Sequence, residues 1–255
     1  MMEQTLGNIN ALAFDLPILY KKSLFLYPVV VKDYFVFQDV KECLFVDRSY
    51  EKDIEMLTFP DMEYLYKKAM VDETGKENWI KFLFLLKLVF NIPEKDISFG
   101  YMGQEFMCVI QQGKETEPVA ISCQDFEELR PLILEMNGIA YESFDAAWET
   151  QLKKAQEAMF GINQKEGIEF QDAISAIAHD LGRLPNEIQT MPIRRYQIYL
   201  EEMLEREEFN RCRAAELQGT KFKTKLTPWL KHFSPKGRYS NVLSKNVDNI
   251  TKQIK

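Results

Sequence analysis

The side chains best able to ionise, ligate or attack near neutral pH are two histidines, His179 and His232, and four cysteines, Cys43, Cys108, Cys123 and Cys212. A catalytic histidine needs a nucleophile or a metal in a recognisable setting. His179 follows an apolar helical stripe and precedes Asp180, whereas His232 sits between Lys231 and Phe233. The cysteines are scattered and form no Cys-x-x-Cys pair, so they match neither a zinc module nor a small disulfide scaffold, and they read as reduced and mostly buried. The Gly-Lys pairs, Gly75-Lys76 and Gly113-Lys114, lack the glycine five residues earlier that a phosphate loop requires. Asp72-Glu73-Thr74-Gly75 resembles a calcium loop only superficially, since its glycine falls at the fourth position, and it reads as a turn. The acidic pairs Glu127-Glu128 and Glu207-Glu208 are helix-surface charges, because adjacent helical residues do not converge on one substrate. The expectation is a protein without catalytic, cofactor-binding or metal-binding residues that acts through contacts with partners.

The scaffold for such contacts is a folded chain. Its 255 residues are 46% hydrophobic, 13% aromatic and 28% charged, outside the disordered range. The longest apolar stretch, Phe82 to Phe90, is broken by Lys87 and is too short to span a bilayer. The opening residues, Met1 to Asn10, show no basic stretch followed by an apolar core, so no signal peptide is expected.

The pattern predicts an α+β fold. Residues 1–140 form a mixed domain with short antiparallel strands and helices, 141–218 a small helical bundle, and 219–255 a basic tail with aromatic anchors. Between Leu16 and Val46, Val, Phe, Tyr and Leu punctuated by Pro17 and Pro28 predict short strands, with Leu24 to Val31 the strongest and Pro28 a break. A helix is expected from Asp33, then helices over 60–71 and 77–91, the second apolar nearly all round and therefore central. Strands follow around Ile97 to Met102 and Glu105 to Gln111, joined at Gly103, and at Pro118 to Ile121. Ser122 then caps a helix with Asp125 at its third position, ending at Asn137-Gly138. Beyond 140 the stripes are helical: Phe144, Trp148, Leu152, Ala155 and Met159; then Phe170, Ile174, Ile177 and Leu181. A longest helix is expected after Pro192, with Ile193, Tyr196, Leu200, Met203 and Leu204 inward and Glu201, Glu202, Glu205 and Glu207 solvated.

Charge divides the chain. Residues 219–255 hold nine Lys or Arg against Asp248, a balance of +8, so residues 1–218 carry −15. Such a tail can neutralise phosphates or lie on an acidic protein surface. The aromatic and aliphatic residues interleaved with its lysines, Trp229 and Phe233 among them, favour docking on protein, and nucleic acid is not the expected partner.

Three stretches resemble a family of phage and prophage tail proteins from low-GC Gram-positive hosts. Leu26 to Phe37 is similar to its Tyr-Pro-x-x-x-x-Asp-Tyr-x-x-Phe pattern, on Tyr27, Pro28, Asp33, Tyr34 and Phe37. Asp125 to Asn137 resembles its Phe-x-x-Leu-Arg-x-x-Ile-x-x-x-Asn helix, and Gly219 to Phe233 its closing segment, although Pro228 before Trp229 and the longer Lys-rich tail depart from it. The resemblance implies a non-enzymatic tail assembly chaperone acting on tape measure or baseplate-hub proteins in the host cytoplasm. A structural tail or baseplate subunit of the virion is an alternative, and a nucleic-acid-binding regulator using the tail is another. No membrane partner is expected, and a homo-oligomer is compatible. The candidate partner-binding residues are Tyr27, Tyr34, Trp229 and Phe233.

Overall fold

A computed structural model of the chain describes residues 11–21, 23–48, 51–114, 116–140, 169–219 and 236–237. Alternation governs the first strands: β1 (Ile18–Lys21) and β2 (Leu24–Leu26) pair antiparallel with Ile18 opposite Leu26. Ile18, Leu24 and Leu26 are buried while Leu19 and Phe25 face outward. Pro28 interrupts the extended run as expected, and the chain then enters a 3-10 turn at Val31–Asp33 ahead of helix α1 (Tyr34–Val40). Asp33 stands at the N-cap position, yet its carboxylate makes no capping bond. The 3-10 turn already occupies one donor of the first helical turn, since the Tyr34 N–H bonds to the Val31 carbonyl.

Helix α2 (Ile54–Thr58) is capped by Asp53, which accepts the Glu55 N–H. Helices α3 (Asp61–Val71) and α4 (Glu73–Phe90) form an antiparallel pair. The segment Asp72 to Gly75, read from sequence as a turn, is the N-cap and first turn of α4: Asp72 accepts the Gly75 N–H at 2.6 Å. The glycine serves a tertiary purpose, because a Cβ at Gly75 would lie 2.8 Å from the Ala69 nitrogen and nearer still to the Lys68 carbonyl. Along α4, Phe82, Leu85, Leu86, Val89 and Phe90 are buried at the centre of the core. Ile80 and Phe84, one turn apart, remain exposed, with the Lys87 ammonium over the Phe84 ring, so α4 is central on one side only.

Strands β3 (Ile97–Met102), β4 (Glu105–Ile110) and β5 (Val119–Ser122) form an antiparallel sheet in that order. Gly103, at φ 70°, opens the two-residue connection that sets Met102 opposite Glu105. Phe106, Cys108, Ile110, Val119 and Ile121 point to the helices. Helix α5 (Cys123–Met136) begins with the expected capping box: Ser122 Oγ accepts the Asp125 N–H and Asp125 accepts the Ser122 N–H. It stops at Asn137-Gly138.

After β6 (Ile139–Ala140), the expected 140/141 boundary and the Phe144–Met159 stripe fall on residues outside those described. Helix α6 (Phe170–Asp180), the short α7 (Pro185–Ile188) and the long α8 (Ile193–Leu217) then follow. Ala173, Ile177, Ala178, Ile188, Met191 and Tyr196 gather around Val31 in a second core, while Ile193 enters the first. Leu204 is exposed rather than inward, and Glu201 and Glu202 are half-buried, so the apolar stripe of α8 narrows after Met203. The described strand beyond 140 is the two-residue β7 (Lys236–Gly237), parallel to β6. The fold is α+β, with small antiparallel sheets among helices. Among the described residues no helix is long and apolar enough to cross a membrane.

Candidate functional site

The segment Tyr27 to Phe37 is the hinge of the architecture. Its backbone is bonded on three sides. The Tyr27 N–H donates to the Val89 carbonyl at 2.7 Å, fixing it to the end of α4, and the Val29 N–H donates to Asn137 Oδ1 at 2.9 Å, fixing it to the end of α5. Toward the C-terminal helices a short ladder forms: Ile193 donates to the Val29 carbonyl at 2.8 Å, and Val31 and Lys32 donate to the carbonyls of Met191 and Gln189 at 2.8 and 3.1 Å. An isolated bridge pairs Val30 with Pro192, at the one place where proline's missing donor costs nothing to this ladder. Asp15 strengthens the same seam, accepting from Arg194 at 3.2 Å and Arg195 at 2.7 Å.

Four aromatic rings close this seam. Tyr34 stacks on Phe170 with centroids 4.7 Å apart and lies 6.4 Å from Tyr196, while Phe35 meets Phe170 edge-on at 4.8 Å. Tyr34 and Tyr196 are half-buried or buried, and burial raises both phenols above 10, Tyr196 to about 12, so neither ionises near neutrality. Phe35 is different: it is 66% exposed, and its neighbour Val36 is 45% exposed, although Phe37 and Val40 on the same short helix are buried. The result is an apolar surface held on rigid, hydrogen-bonded backbone at the join of α1 and α6.

A second feature is a cleft of about 370 Å³ between the 3-10 turn Lys41–Leu44, the residues around Glu51 and the facing ends of α3 and α4. Two of its charged groups, Lys68 and Glu51, are paired. The Lys68 ammonium bonds Glu51 at 2.7 Å and Asp72 at 3.2 Å, which raises its pKa. Glu51 is lowered to about 2, first by Lys68 and then by the Asp53 N–H. The Cys43 thiol, buried beside it and donating to the Asn78 carbonyl at 3.4 Å, is pushed up to about 12 by burial. A carboxylate this acidic is a weak base, and a thiol this basic stays protonated, so neither is poised for proton or acyl transfer at neutral pH.

The sequence-predicted candidates divide. Tyr27 and Tyr34 lie on the same hinge, but Tyr27 is tied to α4 and Tyr34 is packed between α1 and α6. Trp229 and Phe233 are outside the described residues. Phe35, the apolar residue of the hinge most open to a partner, was not singled out by sequence. Its signal is its place one residue after Tyr34, where a helix that buries Phe37 must turn the side chain away. His179 is exposed at the end of α6, and Cys43, Cys108 and Cys123 are buried free thiols. Among the described residues no cluster of three or more His, Cys, Asp or Glu forms that could hold a metal. No family model matches the chain, and no curated protein or solved structure shows significant similarity to it.

Proposed function

We propose that the chain is a non-enzymatic bacteriophage tail assembly protein, a chaperone that binds tape measure or baseplate-hub protein in the host cytoplasm before the tail is complete. The reading rests on the three resembling stretches, and one observation carries it to a surface. Within the resembling segment Tyr27 to Phe37, the residues that a fold needs are buried or bonded, yet Phe35 and Val36 remain in the open beside Phe170. An apolar anchor on a rigid helix end suits capture of an amphipathic partner helix. In the nearby cleft the Lys68 ammonium is held by Glu51 and Asp72.

The test is co-expression with the tail proteins encoded beside it, followed by capture. Phe35→Asp should leave far-UV circular dichroism unchanged, since the ring is mostly solvated, and should reduce both capture and the soluble yield of the tape measure or hub protein by at least about tenfold. Capture equal to wild type would remove Phe35 from the interface. The protein content of finished particles separates the chaperone, which is absent from them, from a structural subunit, which is present in fixed stoichiometry.

A further inference from the structure

Sheet edges are usually protected by charge, proline, bulges or a covering element. Two of the edges here are. β5 has four residues, follows Pro118 and runs directly into α5. β2 is covered by Gln112, whose amide accepts the Phe25 N–H and donates to the Phe25 carbonyl at 2.6 and 2.9 Å, as a neighbouring strand would. Among the described residues β3 has none of these devices. Its six residues, Ile-Ser-Phe-Gly-Tyr-Met, contain no charge and no proline, and pair with β4 without a bulge from Ile97 to Met102.

The two-residue connection makes Met102 and Glu105 a mutually hydrogen-bonded pair, so Gly100 and Ser98 also bond to β4, and the backbone groups of Phe99 and Tyr101 point to the free edge. Neither residue has a further backbone partner among the described residues. Ser98, Gly100, Tyr101 and Met102 are exposed, and nothing lies within 4 Å of the position a Gly100 Cβ would take.

We propose that β3 is a self-pairing edge: two copies of the chain join antiparallel through it, Phe99 of each opposite Tyr101 of the other, into one continuous six-stranded sheet. The strand is complementary to itself. In this register Gly100 meets its own copy on the two-fold axis, at the non-hydrogen-bonded position where Cα atoms approach to about 4.5 Å and side chains would crowd most. Two aromatic pairs then form on the helix side. Antiparallel pairing also brings the entry of each β3, with exposed Lys95, toward the other copy's hairpin, with exposed Glu105. This complementarity favours a second copy over an unrelated strand. The pairing stands apart from the assembly role proposed above.

The experiment is sedimentation of the full chain at tens of micromolar. Wild type should be a dimer. Gly100→Lys and Gly100→Glu, which place like charges across the axis in open space, should each be monomeric, with dissociation constants raised at least about tenfold, and an equimolar mixture of the two should regain the dimer. Hydrogen exchange on wild type gives a second reading: the Phe99 and Tyr101 amides should gain protection as concentration rises. A monomeric wild type, variants as dimeric as wild type, or edge amides whose exchange ignores concentration would overturn the proposal.

Discussion

Replacing Gly75 by alanine puts local and tertiary physics in direct opposition. On propensity alone, Gly→Ala inside the first turn of α4 should stabilise the helix by up to about 1 kcal/mol. The fold reverses the sign. The new methyl carbon would lie 2.8 Å from the Ala69 nitrogen, where ordinary contact begins near 3.4 Å, and closer still to the Lys68 carbonyl, so backbone rather than a flexible side-chain tip must give way. Two helix ends have to part, and the Lys68–Asp72 ion pair and the Asp72 cap on the Gly75 N–H are strained with them. Overpacking of this kind costs about 1–3 kcal/mol and loss of a cap about 1 kcal/mol, giving a net destabilisation of about 1–3 kcal/mol after the propensity gain. At about 2–4 °C per kcal/mol for a chain of this size, the melting temperature should fall by about 2–12 °C. Urea unfolding gives the free energy directly. A Gly75→Ala protein that melts at or above the wild-type temperature would refute the close approach of α3 and α4.

Asp61→Ala should destabilise by about 1.5–3 kcal/mol in urea, because it strips the carboxylate that joins Arg48 to Arg130, leaving the 6% exposed Arg130 with Glu127 alone at 2.7 Å. Asn137→Ala should cost about 1–3 kcal/mol, since the buried Val29 N–H loses its acceptor, while Asn137→Asp should recover part of that loss by restoring one. Stability should also fall in acid: Glu51 is held at about 2 against an ordinary 4.5, so its contribution is complete above about pH 4.5 and disappears as the pH drops toward 2. Glu51→Gln should flatten that part of the urea-midpoint profile. In partner capture, Trp229→Ala should lose more affinity than Lys→Ala at 221, 223 or 225, because burying a large ring is worth about 1.5–3 kcal/mol and an exposed ion pair about 0–1 kcal/mol. A steep salt slope with the reverse order would make the tail a polyanion-binding arm.

What was legible in the sequence was local. The Ser122–Asp125 capping box, the Gly103 hairpin, the stop at Asn137-Gly138 and the start of α8 after Pro192 each depend on residues within a few positions of one another, and each is where the spacing predicts it. Asp72 to Gly75 was misread because glycine is a turn signal when only neighbours are considered, whereas its cause here is the backbone of α3. Asp33 stands where a helix is expected to start, but the preceding 3-10 turn leaves its carboxylate without a capping task. Leu204 follows the helical period and still faces water, since period alone does not say where the surface covering a helix ends.

The candidate site was half legible, and the reason lies in the kind of bond that builds it. The ladder from Val29–Lys32 to Gln189–Ile193 joins segments about 160 residues apart through main-chain groups, which carry no residue signature. A motif such as Tyr-Pro-x-x-x-x-Asp-Tyr-x-x-Phe is then open to two explanations, a binding face or a hinge. In this fold the hinge accounts for most of it: Tyr27 and Val29 supply backbone bonds, Val31 and Phe37 enter two different cores, and Tyr34 is wedged on Phe170. None of those roles needs Phe35. A ring kept two-thirds exposed on helix α1, whose neighbouring turns are fixed by hydrogen bonds to three other elements, adds only its edge contacts with Tyr34 and Phe170 to the monomer, and burying the rest against a partner would recover about 1–2 kcal/mol. The hinge holds the surface still, and the surface, rather than the motif's tyrosines, is where a partner would gain most.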